Sequence, residues 1–237
     1  MRVRLRQRFS LAMFFVEFFV FPIKNLFLQE QIRVSKKIKT MVAEAIKKNN
    51  TTITTTKPRP ISWETFKKVY LEREDGFKYE WVNGQVEKTP RTMDKKQFFI
   101  IENLMAWLDT LRSEKRADGR LIVEGDNFFS GAHRRPDIAY YTYEQIRLTQ
   151  NDNAHTVVPQ FVIEVISSND QMNSVVKKMK NYRSAEVPIV WHIFPNQHEI
   201  HVYRGKQMTV CVGEDICSAE PVVSGFKMSV NDVLKKL

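Results

Sequence analysis

One acidic residue stands inside a short β-branched run, Phe-Val-Ile-Glu-Val-Ile, at positions 161–166. Side chains alternate along a strand, so Glu164 shares a face with Val162 and Ile166, and both faces are otherwise apolar. A strand with two apolar faces is usually covered on both sides, where a carboxylate must be paired with a cation or hold a metal ion. The run leaves both interpretations open, with an arginine as the expected partner in the first.

A second carboxylate, Asp137, follows Pro136 at the start of another strand-like run, Asp-Ile-Ala-Tyr-Tyr. Taken alone, an aspartate at the start of a strand is typical of a turn. Two carboxylates on adjacent strands of one sheet can, however, converge on a hard cation through oxygen ligands, as Mg²⁺ requires. Asp137 and Glu164 therefore predict a divalent-metal site if their strands are neighbours.

These two segments carry a family resemblance. Arg135-Pro136-Asp137, followed by residues 161–167, resembles the active-site core of the Uma family of restriction endonucleases, which belongs to the PD-(D/E)XK nuclease superfamily. The resemblance runs from Ile61 to the C-terminus and includes Tyr79-Glu80-x-x-Asn83-Gly84, Pro188-x-x-x-Trp191 and Val223-x-Gly225-Phe226. It implies a restriction-endonuclease-like fold and a hydrolase that cleaves phosphodiester bonds of nucleic acid, DNA in the first place, with Mg²⁺ or Mn²⁺ as cofactor.

The resemblance also implies roles for single residues. In the superfamily an aspartate and a glutamate bind the metal and a lysine orients the attacking water; Asp137 and Glu164 match the two acids, whereas Ile166 stands where the lysine is expected. In the Uma family a lysine on the following helix substitutes, and Lys178 matches it. The rivals on the same helix are Lys177 and Lys180. The alternative for Lys178 is a solvated surface charge.

Three more residues receive supporting roles. Glu80 matches the family's N-terminal acidic residue, which implies that it completes the metal shell; the alternative is an exposed hairpin carboxylate. Arg134 and Arg135 are predicted phosphate contacts, because guanidinium groups meet phosphate oxygens bidentately. Both arginines could equally cap the sheet as ion-pair partners.

One departure from the family pattern affects the functional prediction. The family often carries a histidine early in its long helix, where this chain reads Lys95-Lys96-Gln97. If that histidine aids catalysis, this copy is impaired. The alternative function is therefore a nuclease-fold module that binds nucleic acid or protein without cleavage.

The elements that must position these residues follow from periodicity. Apolar residues recur at helical spacing over Asp94–Ser113 and over 170–185. Asn83-Gly84 between two strand-like runs, 77–82 and 85–88, predicts a hairpin. Further strands are predicted at 121–129, 135–141, 161–166, 189–194, 199–204 and 207–212, and short helices at 62–75 and 231–237. Strands interleaved with helices indicate an α/β fold, a mixed sheet flanked by helices with C-terminal strands.

The net charge of +10 says little about what the folded part binds. Residues 1–60 hold 13 Lys/Arg and 3 Asp/Glu, whereas residues 61–237 hold 24 of each. The basic excess therefore belongs to the N-terminal segment. We expect a basic and apolar extension over 1–40, a linker over 41–60 and the nuclease-like domain over 61–237.

The apolar stretch Leu11–Phe21 is too short to span a bilayer, because Glu17 interrupts it and Pro22 and Lys24 close it. No small-residue cleavage site follows it, which disfavours a secretory signal. We expect no stable membrane insertion and favour translation from Met41. The alternative is a weak interfacial anchor, and hence a membrane-surface protein.

The two cysteines, Cys211 and Cys217, match no zinc spacing and are too few for a disulfide framework. They indicate reduced thiols and a cytoplasmic protein. The oligomeric state stays open, with a homodimer among the options.

Overall fold

The computed structural model describes residues 33–37, 39–41, 59–91, 95–149, 157–168 and 170–236. The chain divides into two compact units, residues 1–57 and 58–237. In the first unit, residues 33–37 and 39–41 are helical. The stretch Leu11–Phe21 and most of the predicted linker lie outside the described residues. Within the described part, no helix combines the length and the apolar character needed to cross a membrane.

The second unit contains all the strands of the described chain. In chain order its elements are α1 (Trp63–Phe66), which continues as a π-helical turn over Lys67–Leu71, β1 (Phe77–Val82), β2 (Gln85–Pro90), α2 (Lys95–Ser113), β3 (Gly119–Val123), β4 (Asn127–Phe129), β5 (Ala132–Arg134), β6 (Ile138–Thr142), α3 (Tyr143–Leu148), β7 (Phe161–Val165), α4 (Met172–Ser184), β8 (Ile189–Phe194), β9 (Glu199–Arg204), β10 (Gln207–Val212), β11 (Ile216–Ser218), β12 (Lys227–Ser229) and α5 (Val230–Leu234).

A six-stranded mixed sheet forms the centre, in the order β10-β9-β8-β7-β6-β3. Of the strand pairs in the described residues, β7 with β8 alone is parallel, and α4 connects them along the chain. Strands β6 and β7 are antiparallel neighbours, with Ile138 opposite Ile163. The residues beside that pair are Asp137 and Glu164, so the two predicted strands are adjacent, as the metal-site hypothesis requires.

A second, antiparallel sheet has the order β2-β1-β5-β4. Its first two strands form the predicted hairpin, and Asn83 and Gly84 turn the chain with φ angles of +49° and +84°. Positive φ at both turn positions is what an Asn-Gly hairpin needs. This sheet carries Glu80 and Arg134, so the predicted site residues come from two sheets.

Two apolar cores cover the two faces of the central sheet. Ile163 and Trp191 contribute to one, together with the apolar side of α2, and Val162 contributes to the other with Met179 and Tyr182 of α4. The alternation expected along residues 161–166 is therefore confirmed, because neighbouring β7 residues enter opposite cores. Glu164 lies on the α4 side.

Two predicted strands were wrong in extent. The run 121–129 divides into β3 and β4, which belong to different sheets, because Glu124 turns the chain with a φ of +49°. The run 135–141 begins too early: residues 135–137 form the connection after β5, and the strand β6 begins at Ile138. Asp137 occupies the connection just before β6, where a side chain can face the end of β7.

Candidate active site

A cleft of about 260 Å³ opens where β7 and β8 end. Its lining includes Asp137 and Glu164 together with three basic or titratable side chains, Lys78, Lys178 and His192. The crevice at the carboxyl ends of parallel strands is the usual ligand site of α/β sheets. The sequence-predicted acids and the predicted lysine thus meet in one cleft.

Glu164 is 3% exposed, and its partners come from α4. The Nζ atom of Lys178 donates to Oε2 at 3.0 Å and to Oε1 at 3.2 Å, and the hydroxyl of Tyr182 donates to Oε1. The spacing of Lys178 and Tyr182 along α4 turns both toward the sheet, because residues four apart share a helix face. The cation beside Glu164 is therefore a lysine and not the arginine considered from the sequence.

Asp137 is 9% exposed and is held from two sides. Its Oδ2 accepts the backbone N–H of Val165 at 2.8 Å, and its Oδ1 accepts from Nζ of Lys78 at 3.0 Å. The first bond fixes the carboxylate at the end of β7, immediately beyond Glu164. The second supplies a buried cation from the other sheet.

Burial raises the pKa of Glu164, and the nearby Asp137 carboxylate raises it further, whereas the ammonium groups of Lys178 and Lys78 lower it. Burial acts to lower the pKa of Lys178, but Glu164, Glu80 and Asp137 outweigh it and raise that pKa. The lysine therefore stays protonated at neutral pH. The two carboxylates repel each other, and the ammonium groups of Lys78 and Lys178 balance their charge.

Glu80 is 2% exposed and fully engaged by the protein. Its Oε2 accepts from Nη1 of Arg134 at 2.9 Å, and its Oε1 accepts the backbone N–H of Arg135 at 2.8 Å. Lys178 lies farther away, with Nζ at 3.9 Å from Oε1. Burial raises the pKa of Glu80, but Lys178, Arg134, Lys78 and the Arg135 amide together hold it at about 2.

Arg134 is 0% exposed, and its guanidinium donates to Glu80, Glu87 and Asn181. Of the two roles left open by the sequence, the structure gives it that of an ion-pair partner, and its guanidinium is not accessible to a phosphate. Arg135 forms an ion pair with Asp126, with Nε at 2.6 Å from Oδ1, and its side chain is 13% exposed.

The rivals of Lys178 point elsewhere. Lys177 has a 61% exposed side chain and pairs with Glu87 at 2.6 Å, and Lys180 is exposed. Lys96, where the family often has a histidine, lines the cleft and donates to Oδ1 of Asn196. Helix geometry predicts from the sequence that Lys178, and not Lys177, faces the sheet, because Lys178 lies four residues before Tyr182 and shares its helix face.

Sequence reasoning missed two cleft residues. Lys78 is 8% exposed, and a signal for it existed: it lies two residues before Glu80 and therefore on the same face of β1. His192 is 2% exposed and stands opposite Glu164 in the register of β7 and β8. No sequence motif indicates the position of His192, because it depends on how β7 pairs with β8, and local sequence does not encode that pairing.

The carboxylates in and around the cleft can be matched to the coordination that Mg²⁺ requires. Among the described residues, no three His, Cys, Asp or Glu side chains are grouped to hold a metal. Asp137 and Glu164 nevertheless fit, because Mg²⁺ is usually bound by one or two carboxylates and completed by water and substrate phosphate. Glu80, in contrast, is not among the residues that line the cleft, and its oxygens are bonded to Arg134 and the Arg135 amide.

The chain is similar to known proteins along most of its length. Among solved structures it is similar to a protein from Anabaena variabilis described as a "putative nuclease belonging to DUF820", with 21% identity, a TM-score of 0.64, and coverage of 74% of this chain and 98% of that one. At that identity the likeness shows the fold, so the restriction-endonuclease-like α/β prediction is confirmed. No curated protein matches. Residues 63–231, well over half of the chain, match the Uma2 family model, described as "Putative restriction endonuclease", so the chain belongs to the Uma2 family.

Proposed function

We propose that this protein is a metal-dependent nuclease that hydrolyses phosphodiester bonds of nucleic acid, DNA in the first place. The observation that carries the proposal is the convergence of Asp137, Glu164 and Lys178 in one cleft, with Lys178 Nζ at 3.0 Å from Glu164. Family membership supports the reaction class. The geometry supports the division of roles among the three side chains.

Asp137 and Glu164 are the residues that would hold Mg²⁺ or Mn²⁺. Glu80 belongs to the network of ion pairs beside them, through Arg134 and Lys178. When bound, the ion would lower the pKa of a water molecule and neutralise charge that develops on the phosphate. The Val165 amide fixes the direction of the Asp137 carboxylate, and Tyr182 together with Lys178 fixes that of Glu164. These contacts place the oxygen ligands before substrate arrives.

Lys178 acts as a donor and not as a general base. Its carboxylate neighbours raise its pKa, so it carries its proton and positive charge at neutral pH. An ammonium group in this position can donate to the attacking water or to a phosphate oxygen, and it stabilises negative charge as the bond to the leaving oxygen breaks. The proton of the water must therefore leave to solvent or to the substrate phosphate.

One observation favours a second candidate, a module that binds nucleic acid without cleaving it. Each carboxylate already has a lysine partner, since Lys78 pairs with Asp137 and Lys178 pairs with Glu164. A buried carboxylate satisfied by lysine is also a stable structural arrangement. Lys96 in place of the family's usual histidine points the same way.

A cleavage assay separates the two candidates. Supercoiled plasmid and duplex oligonucleotides are incubated with the full-length chain in Mg²⁺, in Mn²⁺ and in excess chelator, with the Asp137→Asn/Glu164→Gln double variant as matched control. The proposal requires nicking that depends on metal and disappears in the double variant. Retention of nucleic acid without cleavage in either metal would replace it with the binding module.

A further inference from the structure

The cleft also has a polar part beside Glu164, toward the ends of β7 and β8, that the proposed chemistry does not use. Its lining here comprises Ser167, Ser168, Ser174, His192 and Asn196. These side chains are neutral donors and acceptors. The wall they form lies where the first turn of α4 meets the two strand ends.

The first turn of α4 favours an anion. The helix begins after Gln171, whose side chain makes no capping hydrogen bond, and its first turn contains no acidic residue. The first amides of a helix lack partners within the helix and carry partial positive charge, although here the Ser174 N–H already donates to the Gln171 carbonyl at 2.8 Å. Ser174 of this turn lines the cleft. A helix end alone does not define a site, but a second feature lies beside it.

That feature is His192. The residue is 2% exposed, lines the same cleft, and its buried Nε2 has no hydrogen-bond partner among the described residues. Burial lowers its pKa to about 4, with His201, Lys178 and Arg183 adding to the effect, so the ring is neutral at physiological pH. A neutral imidazole carries one N–H donor and one acceptor. Because buried polar atoms are nearly always bonded, the unpartnered nitrogen is available to a molecule that enters the cleft.

The charges of this wall are compatible with a phosphate. Its acidic residue, Asp170, is already occupied, since Oδ2 accepts both the N–H and the hydroxyl of Ser167 at 2.7 Å. Lys96 and Lys178 also line the cleft. Phosphate groups bind well where helix amides, neutral donors and lysine converge.

We propose that the α4 first turn and His192 form a phosphate-binding subsite for a phosphodiester that neighbours the one cleaved at Asp137 and Glu164. The subsite rests on the proposed nuclease function for its biological ligand. It would anchor the nucleic-acid strand along the cleft, with contacts to the backbone and none to the bases.

Inorganic phosphate titrated into the metal-free, full-length chain tests the subsite, followed by the histidine ring and backbone amide signals in NMR spectra. Phosphate should shift the signals of His192, Asn173 and Ser174. His192→Leu, which removes the donor and retains bulk, should weaken phosphate about tenfold, since a hydrogen bond to a charged group is lost. His192→Asn keeps a donor and should stay within about threefold. Lys180→Ala is the surface control, and thermal melting verifies that each variant folds.

The subsite is overturned if phosphate shows no saturable binding, if it shifts only signals around Lys78 and Asp137, or if His192→Leu binds phosphate as wild type does. Failure of the nuclease proposal looks different. If the wild-type chain binds phosphate at His192 but cleaves no nucleic acid, the subsite stands and the nuclease proposal fails. If the chain cleaves nucleic acid but His192→Leu does not change phosphate affinity, the nuclease proposal stands and the subsite fails.

Discussion

Two buried glutamates lie beside the same lysine in opposite electrostatic surroundings. Glu80, on the four-stranded sheet, is bonded to Arg134 and to the Arg135 amide, and its pKa is held at about 2. Glu164, on the six-stranded sheet, is bonded to Lys178 and Tyr182, yet burial and Asp137 raise its pKa. Burial acts alike on both, so the difference comes from their charged neighbours.

Under the proposed function, this difference would separate a structural carboxylate from a metal ligand. An arginine and a backbone amide compensate Glu80, which therefore stabilises the fold as an anion. A second carboxylate beside Glu164 disfavours its ionisation, and under the proposed function a divalent cation would relieve the repulsion between the two acids. The charged neighbours distinguish the two glutamates and burial does not, since both residues are almost fully buried.

The largest expected effect is on turnover. Lys178→Ala should lower the cleavage rate by roughly 10²–10⁴-fold, the range for a positioned proton-transfer or charge-stabilising group. Magnesium affinity should change far less, because lysine is not a metal ligand. Single-turnover cleavage kinetics measure the effect.

Lys180→Ala is the matched control, because that lysine is exposed on the same helix and should leave turnover unchanged. Lys177 is a poorer control, since it pairs with Glu87, which in turn contacts Arg134. Equal losses in Lys178→Ala and Lys180→Ala would mean a general loss of phosphate attraction, and Lys178 would leave the site.

Glu80→Gln should destabilise the fold by about 3 kcal/mol at pH 7, because the cationic neighbours of Glu80 hold its folded-state pKa at about 2, below its ordinary value of 4.5. A lowered pKa gives stability that is present above the unfolded value and lost as pH falls. The gap in unfolding free energy between wild type and variant should therefore narrow from pH 4.5 to about 2. Urea unfolding at several pH values measures it. A difference in unfolding free energy that does not change with pH would mean that the neighbours of Glu80 do not stabilise it as an anion.

Glu164→Gln should behave in the opposite way. Because the folded-state pKa of Glu164 is raised, its contribution is present at low pH and is lost as pH rises above 4.5. At pH 7 without metal, the variant should match wild type or gain up to about 1 kcal/mol. A loss of ~3–5 kcal/mol in urea unfolding would instead make Glu164 half of a structural ion pair with Lys178.

Removal of residues 1–40 should have the smallest effect. The cores of the described chain are formed within residues 58–237, so the midpoint of thermal unfolding should not change. Scanning calorimetry of the truncated and full-length chains compares them. A markedly lower midpoint would show that the N-terminal segment stabilises the domain.

The sequence predicted elements with strong local signals. Periodicity placed α2 and α4, Asn83-Gly84 placed the first hairpin, and the apolar run around Glu164 indicated a central strand. Local patterns could not show that residues 121–129 serve two sheets, because a turn at Glu124 separates strands whose partners lie elsewhere in the chain.

The candidate site was predictable where one element carried the signal. Lys178 followed from helix geometry and family resemblance, and the structure brings it to Glu164. The partnership of Glu80 with Arg134, the contact of Lys78 with Asp137 and the place of His192 depend on how two sheets meet. Such contacts join residues that are distant in sequence, so no local pattern encodes them.

Magnesium binding measured by isothermal titration calorimetry tests the central claim most directly, because it does not require activity. Wild type should bind Mg²⁺, Asp137→Asn and Glu164→Gln should each bind it at least tenfold more weakly, and Glu80→Gln should lose much less affinity, since Glu80 is bonded to Arg134 and does not line the cleft. Equal losses from Glu80→Gln and Asp137→Asn, or undiminished binding in Asp137→Asn, would contradict the division between the two glutamates.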